Sequence, residues 1–252
     1  MKNKQLLSII IPFHNEQEVI TECQYRLSDA VKSLDMDVEM LYINDGSKDE
    51  TLNALLALMD KDSRIKIIDL SRNFGKEVAM TAGLDEAKGD AVIVIDADLQ
   101  DPPELITEMV QKWREGFDVV YAKRIERKGE SFIKKATAHL FYKLINKISD
   151  YDIPENVGDF RLMSRQAVDA LNQVRERKRF MKGLFAWIGF PQTAIEYSRD
   201  PRFAGETNWN YKKLFKFAIE GISSFTQEPL RLATYAGFMT AFGAFVLGLY
   251  FI

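Results

Sequence analysis

The chain has 252 residues, 46% of them hydrophobic, enough for one large domain, or a domain with an appendage, around a sizeable core. A single cysteine, Cys23, excludes an internal disulfide framework, and His14 and His139 lack Cys or His companions at zinc-ligand spacing. The net charge of −3 conceals a split: residues 1–122 carry 13 basic and 24 acidic side chains and the rest carry 21 and 13, so the second half is expected to face something anionic.

Residues 6–11 are a short apolar run closed by Pro12, a buried strand leading into the loop Phe13-His14-Asn15-Glu16 and a helix reaching about Leu34. Residues 38–43 form a second strand, ended by the turn Asn44-Asp45-Gly46-Ser47. Ser47 and Glu50 have capping-box spacing and predict a helix start there, running to Met59. A third strand over 65–70, a polar loop and a helix over 76–87 follow. Residues 91–95, Ala-Val-Ile-Val-Ile, read as a strand buried on both faces. It stops at Asp96-Ala97-Asp98, and Pro102-Pro103 open a helix to Glu115 before a fifth strand over 117–122.

Strands alternating with helices imply right-handed βαβ units and an α/β fold with a mostly parallel sheet. Loops at the carboxyl ends of such strands converge on one crevice, which here collects Asn15, Glu16, Asp45, Asp96 and Asp98. A bare Asp-x-Asp is most often a solvated turn. The buried strand before it and the proline-opened helix after it favour a site for a hard divalent cation holding a diphosphate. Neither Gly-x-Gly-x-x-Gly nor Gly-Lys-Ser/Thr is present, which argues against a dinucleotide oxidoreductase and a P-loop NTPase.

The second half begins with a basic loop over 123–135 and an amphipathic helix over 132–148, which either packs on the core or lies on an anionic membrane surface. Asp159 and Arg161 flank Phe160, a pattern that is usually a structural ion pair. A basic cluster over 175–182, an apolar aromatic segment over 183–190 and an edge strand over 193–197 come next. The stretch 199–209 is expected to be a loop able to fold over a bound phosphate, and 211–225 an amphipathic helix with Lys212, Lys213 and Lys216 off its apolar face. From Leu232 to Ile252 no residue is charged, the length of a bilayer-spanning helix. With no signal-peptide pattern at Met1–Gln5 and a basic flank before the span, the catalytic part is expected on the cytoplasmic face of the inner membrane.

Six stretches in this order carry a resemblance: Ile11-Pro-Phe-His-Asn-Glu16, Asn44-Asp-Gly-Ser47, Leu70-Ser-Arg-Asn-Phe-Gly-Lys76, Asp96-Ala-Asp-Leu-Gln-Asp-Pro-Pro103, Gly158-Asp-Phe-Arg161 and Arg202-Phe-Ala-Gly-Glu-Thr207. The chain resembles the metal-dependent family 2 glycosyltransferases of GT-A fold, and among them the polyprenyl-phosphate enzymes: dolichyl-phosphate mannose synthases and, more closely, bacterial bactoprenol glucosyltransferases. The resemblance implies a GT-A (Rossmann-like) catalytic domain over 1–208, a juxtamembrane amphipathic helix over 209–231 and a transmembrane helix over 232–252. It implies a nucleoside site lined by Pro12, His14, Glu16, Ile43 and Asp45, with Lys76 and Ala97 also on the donor side. Asp96, Asp98 and Gln100 would hold Mg²⁺ or Mn²⁺, Arg124 would contact phosphate, Asp159 and Arg161 would sit where sugar and acceptor meet, and Arg202 would close over the donor. Two departures stand out: the lysine that relatives often carry near Asn208 is missing, and bactoprenol enzymes usually have a second span, so a membrane hairpin cut short is expected.

The reaction implied is inverting transfer of a sugar, foremost glucose from UDP-glucose, to undecaprenyl phosphate, with Asp159 either the base or an orienting group. Alternatives are transfer from GDP-mannose, a processive polysaccharide synthase (which usually shows Gln-x-x-Arg-Trp, absent before Trp187) and a silent membrane-anchored nucleotide-sugar binder. No nucleic-acid partner is expected, since no RNA-binding motif is present; the glycines of the span are compatible with a homo-oligomer.

Overall fold

The computed structural model describes residues 4–125, 156–174, 181–198 and 228–251. The expected helices at 132–148 and 211–225, the loop at 199–209 and Arg202 lie outside them. Alternating segments give β1 (Leu6–Phe13), α1 (Ile20–Val31), β2 (Asp37–Asn44), α2 (Thr51–Met59), β3 (Ile65–Asp69), α3 (Lys76–Glu86) and β4 (Ala91–Val94). A 3₁₀ turn at Pro103–Leu105 leads into α4 (Ile106–Arg114), then β5 (Val119–Arg124), β6 (Val157–Ser164), α5 (Arg165–Gln173), α6 (Met181–Trp187), β7 (Gln192–Tyr197) and α7 (Glu228–Tyr250).

The sheet runs in the order β3-β2-β1-β4-β6-β5-β7. Every neighbouring pair is parallel except the two made by β6, which enters antiparallel between β4 and β5. The expected mostly parallel sheet is therefore present, with β4 at its centre and β7 on its edge. Strand alternation sends Leu7, Ile9, Ile11 and Phe13 of β1 into the core under α1, α2 and α4. Ile10, with Leu41 and Ile43 of β2, packs on the other face against α3. All four residues of β4 are fully buried, as its unbroken apolar run requires.

Two local details fix where functional loops leave this frame. A Cβ on Gly83 would come within 2.5 Å of Ile10 Cγ2, so glycine lets α3 lie close on the sheet and aims its amino end at the carboxyl edge. Pro12 is tolerated in β1 because pairing with β4 stops at Ile10 and Val94, leaving no ladder bond for its missing N–H.

The capping-box expectation fails. The helix begins at Thr51 without a side-chain cap, because the Ser47 hydroxyl instead accepts the Asn15 N–H at 3.0 Å. At the other end of the chain, α7 stands apart: Ala233–Tyr250 has a mean hydropathy of 1.3, is long and apolar enough to cross a membrane, and none of it is buried against the rest.

Candidate active site

Strand order reverses direction between β1 and β4, and ligands of open α/β sheets bind in the crevice at such a point. Three loops are laced together there. Asn15, left-handed at φ 55°, accepts the Lys48 N–H on its side-chain oxygen at 2.8 Å. The His14 Nδ1–H donates to the Asp45 carbonyl at 2.8 Å, leaving Nε2 facing the Asn15 amide. The Asp45 carboxylate accepts the N–H groups of Phe74 at 2.7 Å and Gly75 at 2.9 Å, so it orders the loop that starts α3. Gly46 sits at φ +57° with its α-carbon against the chain at Arg72 and Asn73, where a Cβ would lie 2.2 Å from a backbone atom.

Two acidic side chains of the crevice meet through strand register. Val94 of β4 pairs with Arg161 of antiparallel β6, so two residues beyond Val94 and two residues before Arg161, Asp96 and Asp159 reach the same point of the crevice. Facing like charges repel. The Lys76 ammonium, delivered by the first residue of α3, pairs with both Asp96 and Asp159. Burial works against ionisation of Asp159, but Lys76, Lys182 and Arg161 outweigh it and hold this carboxyl well below the usual range. Asp96 moves the other way: burial raises it, and Asp159, Asp98 and Asp101 add to that against Lys76. Burial opposes the Lys76 charge too, yet Asp159 and Asp96 push it above the ordinary lysine value.

Arg161 is buried and donates to the main-chain oxygens of Gly158 at 2.9 Å and Asp159 at 3.3 Å, with its guanidinium 3.7 Å over the Phe185 ring. The side-chain ion pair expected between Asp159 and Arg161 is replaced by Lys76–Asp159. Burial lowers the Arg161 value to about 10. Arg161 therefore shapes the strand that presents Asp159.

The residues fit a hard divalent cation by the chemistry of their donors. Asp96, Asp98 and Gln100 offer oxygens on one short loop in which the buried Leu99 takes a left-handed φ of 57°. Asp159 Oδ1 is buried with no hydrogen-bond partner. Among the described residues no three His, Cys, Asp or Glu side chains form a metal-ligand group.

A family model described as glycosyl transferase family 2 matches residues 8–171. The chain belongs to that family. A prophage bactoprenol glucosyl transferase homolog of Escherichia coli is 46% identical over 98% of this chain and 80% of its own length. The bactoprenol glucosyl transferase of Shigella phage SfV is 45% identical with the same coverage, and an uncharacterized glycosyltransferase of Synechocystis is 53% identical over 92% of this chain and 73% of its own. Among solved structures, glucosyl-3-phosphoglycerate synthase of Mycobacterium tuberculosis, in complex with Mn²⁺, UDP-glucose and phosphoglyceric acid, has a TM-score of 0.54 at 18% identity over 85% of this chain and 76% of its own. A mannosyltransferase of Pyrobaculum calidifontis, in complex with GDP-mannose and Mn²⁺, has a TM-score of 0.53 at 17% identity over 77% and 56%. These likenesses establish the GT-A fold.

Within this family 2 domain, His14, Glu16 and Asp45 gather at the crevice with Lys76, Asp96, Asp98, Gln100 and Asp159. Ile43 is wholly buried with its side chain under α3, and Ala97 is buried in the opposite layer. Arg124 is held by other protein groups, donating from Nε to the Tyr197 hydroxyl at 3.0 Å and from Nη2 to Asp101 at 3.5 Å, while the Tyr197 hydroxyl also donates to Asp101. This clamp of Asp101, Arg124 and Tyr197 ties the acidic loop to the ends of β5 and β7. Sequence reasoning passed over Asp101 and Tyr197, and also Glu77, which accepts the Met181 N–H at 3.3 Å. Burial and the nearby Asp159 charge push the Glu77 carboxyl up to about 8. Asp101 was visible only as part of its motif, and nothing in a single sequence pairs it with a tyrosine 96 positions away.

Proposed function

We propose that this glycosyltransferase moves glucose from UDP-glucose to undecaprenyl phosphate at the cytoplasmic face of the inner membrane, with inversion at the anomeric carbon. The observation that carries the reading is the acidic crevice of Asp96, Asp98 and Asp159 in a chain that matches proteins named bactoprenol glucosyl transferases over 98% of its length. His14, Glu16 and Asp45 take the nucleoside, and Asp96, Asp98 and Gln100 hold Mg²⁺ or Mn²⁺. When bound, the cation offsets the charge that develops on the departing diphosphate. Residues 1–208 carry the catalytic residues and residues 232–252 the anchor.

In the chemical step a phosphate oxygen of the lipid attacks the anomeric carbon, and the bond from that carbon to the β-phosphate oxygen breaks as UDP leaves. The nucleophile is already anionic near neutral pH, with a second pKa of about 6, so no strong base is needed. A carboxylate held well below its usual range is a poor proton acceptor. Asp159 therefore fixes Lys76 and the acceptor side of the crevice and does not take a proton.

The test is transfer by purified, detergent-solubilised protein with undecaprenyl phosphate and either UDP-glucose or GDP-mannose, the lipid product being identified by mass spectrometry. A hexosyl lipid formed from the UDP donor supports the reading. A product only from the GDP donor makes the protein a mannosyltransferase, and donor binding without any lipid product makes it a silent binder.

A further inference from the structure

One ammonium serves two facing carboxylates at the centre of the crevice, and both lie where a divalent cation and a diphosphate are proposed to bind. Lys76 pairs with Asp96 and with Asp159, yet Asp159 keeps one buried oxygen without a hydrogen-bond partner. Glu77 adjoins the same cluster from the next position of α3, and Asp98 and Asp101 stand near Asp96 on the following loop. Other cations serve the neighbours, Lys182 and Arg161 acting on Asp159 and Arg124 pairing with Asp101 at 3.5 Å, whereas Lys76 is the cation paired with Asp96. The lysine is the movable member: its side chain is 38% exposed, against 26% and 11% for its two partners. Its four-carbon stem is rooted in the first turn of a helix that Gly83 seats closely on the sheet.

We propose that Lys76 is the resident counter-ion of the metal-free crevice and competes with the divalent cation for Asp96. When the cation takes Asp96, the ammonium stays with Asp159 and the diphosphate side, so that metal and donor occupancy are linked through one side chain. Lys76 is then a positioning residue that sets metal affinity and keeps two repelling strand ends together between turnovers. This inference rests on the metal-dependent reading above and concerns how the site holds its charge before the donor arrives.

The experiment is a titration of Mn²⁺ into nucleotide-free full-length protein, following the free-ion signal by electron paramagnetic resonance, for wild type, Lys76→Gln and Lys76→Arg. Removing a positive charge in contact with a ligand carboxylate should tighten Mn²⁺ binding by about tenfold or more, whereas arginine keeps the charge and should leave affinity near wild type. The metal-free Lys76→Gln protein should also melt lower than wild type and regain the difference when Mn²⁺ is added. Lys76→Met serves in its place should the amide variant fail to fold. Unchanged or weaker Mn²⁺ binding in a folded, uncharged variant overturns the proposal while leaving the metal site standing. Absence of Mn²⁺ binding by wild type and variants alike, even with UDP present, overturns the metal-dependent reading itself and this inference with it.

Discussion

Two buried polar networks sit at opposite ends of the same sheet, and they differ in how completely they are satisfied. At the amino end, Ser8 of β1 donates to Glu39 at 2.6 Å, Glu39 also accepts from the Lys88 N–H at 2.8 Å and pairs with Lys66 at 2.6 Å, and the Gly89 N–H donates to Ser8 at 2.7 Å. Burial opposes the Glu39 charge, but the hydrogen bonds from Lys66, Ser8 and Lys88 outweigh it and lower its pKa. At the carboxyl end a single lysine faces Asp96 and Asp159 with Glu77 beside them, one carboxylate oxygen is orphaned, and Asp96 and Glu77 are raised. A closed network holds a fold, whereas an open one, with two carboxylates sharing one ammonium and one oxygen orphaned, leaves acceptor atoms for a cation.

The sharpest way to break this comparison is to remove a carboxylate from the open network. Asp96→Asn should cut sugar transfer by at least about 100-fold, since a metal contact to the leaving group is worth several kcal/mol. The same variant should not lower the melting temperature of the metal-free protein, because it removes repulsion. The converse change at the closed end is Ser8→Ala, which leaves the buried Gly89 N–H without its acceptor, while Glu39 Oε1 keeps the Lys88 N–H. It should cost about 1–3 kcal/mol in urea unfolding while turnover at saturating substrates stays at the wild-type level.

A smaller effect concerns pH. A carboxyl whose folded value is raised stabilises the folded state while protonated; that contribution is complete below the unfolded value and is lost as pH rises through the folded one. For Glu77 the window runs from its ordinary 4.5 to about 8. Metal-free wild type should melt progressively lower across that window, and Glu77→Gln should flatten this part of the profile. Smallest of all is the acid limb of turnover itself. The rate of transfer should rise through about pH 6 with ionisation of the acceptor phosphate and carry no further limb from Asp159.

Much of the carboxyl-end site was legible because its signals are local. The apolar run of β4 followed by Asp96 and Asp98, the turn at Asn44–Ser47 and the unbroken apolar stretch of α7 each declare themselves within a few residues. The strand expected at 193–197 proved to be the sheet edge. What was not legible depends on register and long-range pairing. The antiparallel entry of β6 sets Asp159 against Asp96 and gives Lys76 two partners, and neither follows from spacing along the chain. The capping box failed because Ser47 is a better partner for the neighbouring loop than for its own helix. The clamp of Asp101, Arg124 and Tyr197 and the Ser8–Glu39 network join residues from separate elements that read as ordinary loop and strand positions.

The most direct measurement is calorimetric titration of UDP into purified wild type, Asp96→Asn and Ser8→Ala, each with Mn²⁺ and again with EDTA. Wild type and Ser8→Ala should bind UDP with Mn²⁺ and lose that binding in EDTA, and Asp96→Asn should bind poorly in both. Equal, metal-independent binding by all three would contradict the assignment of the carboxyl-end network as a metal and diphosphate site.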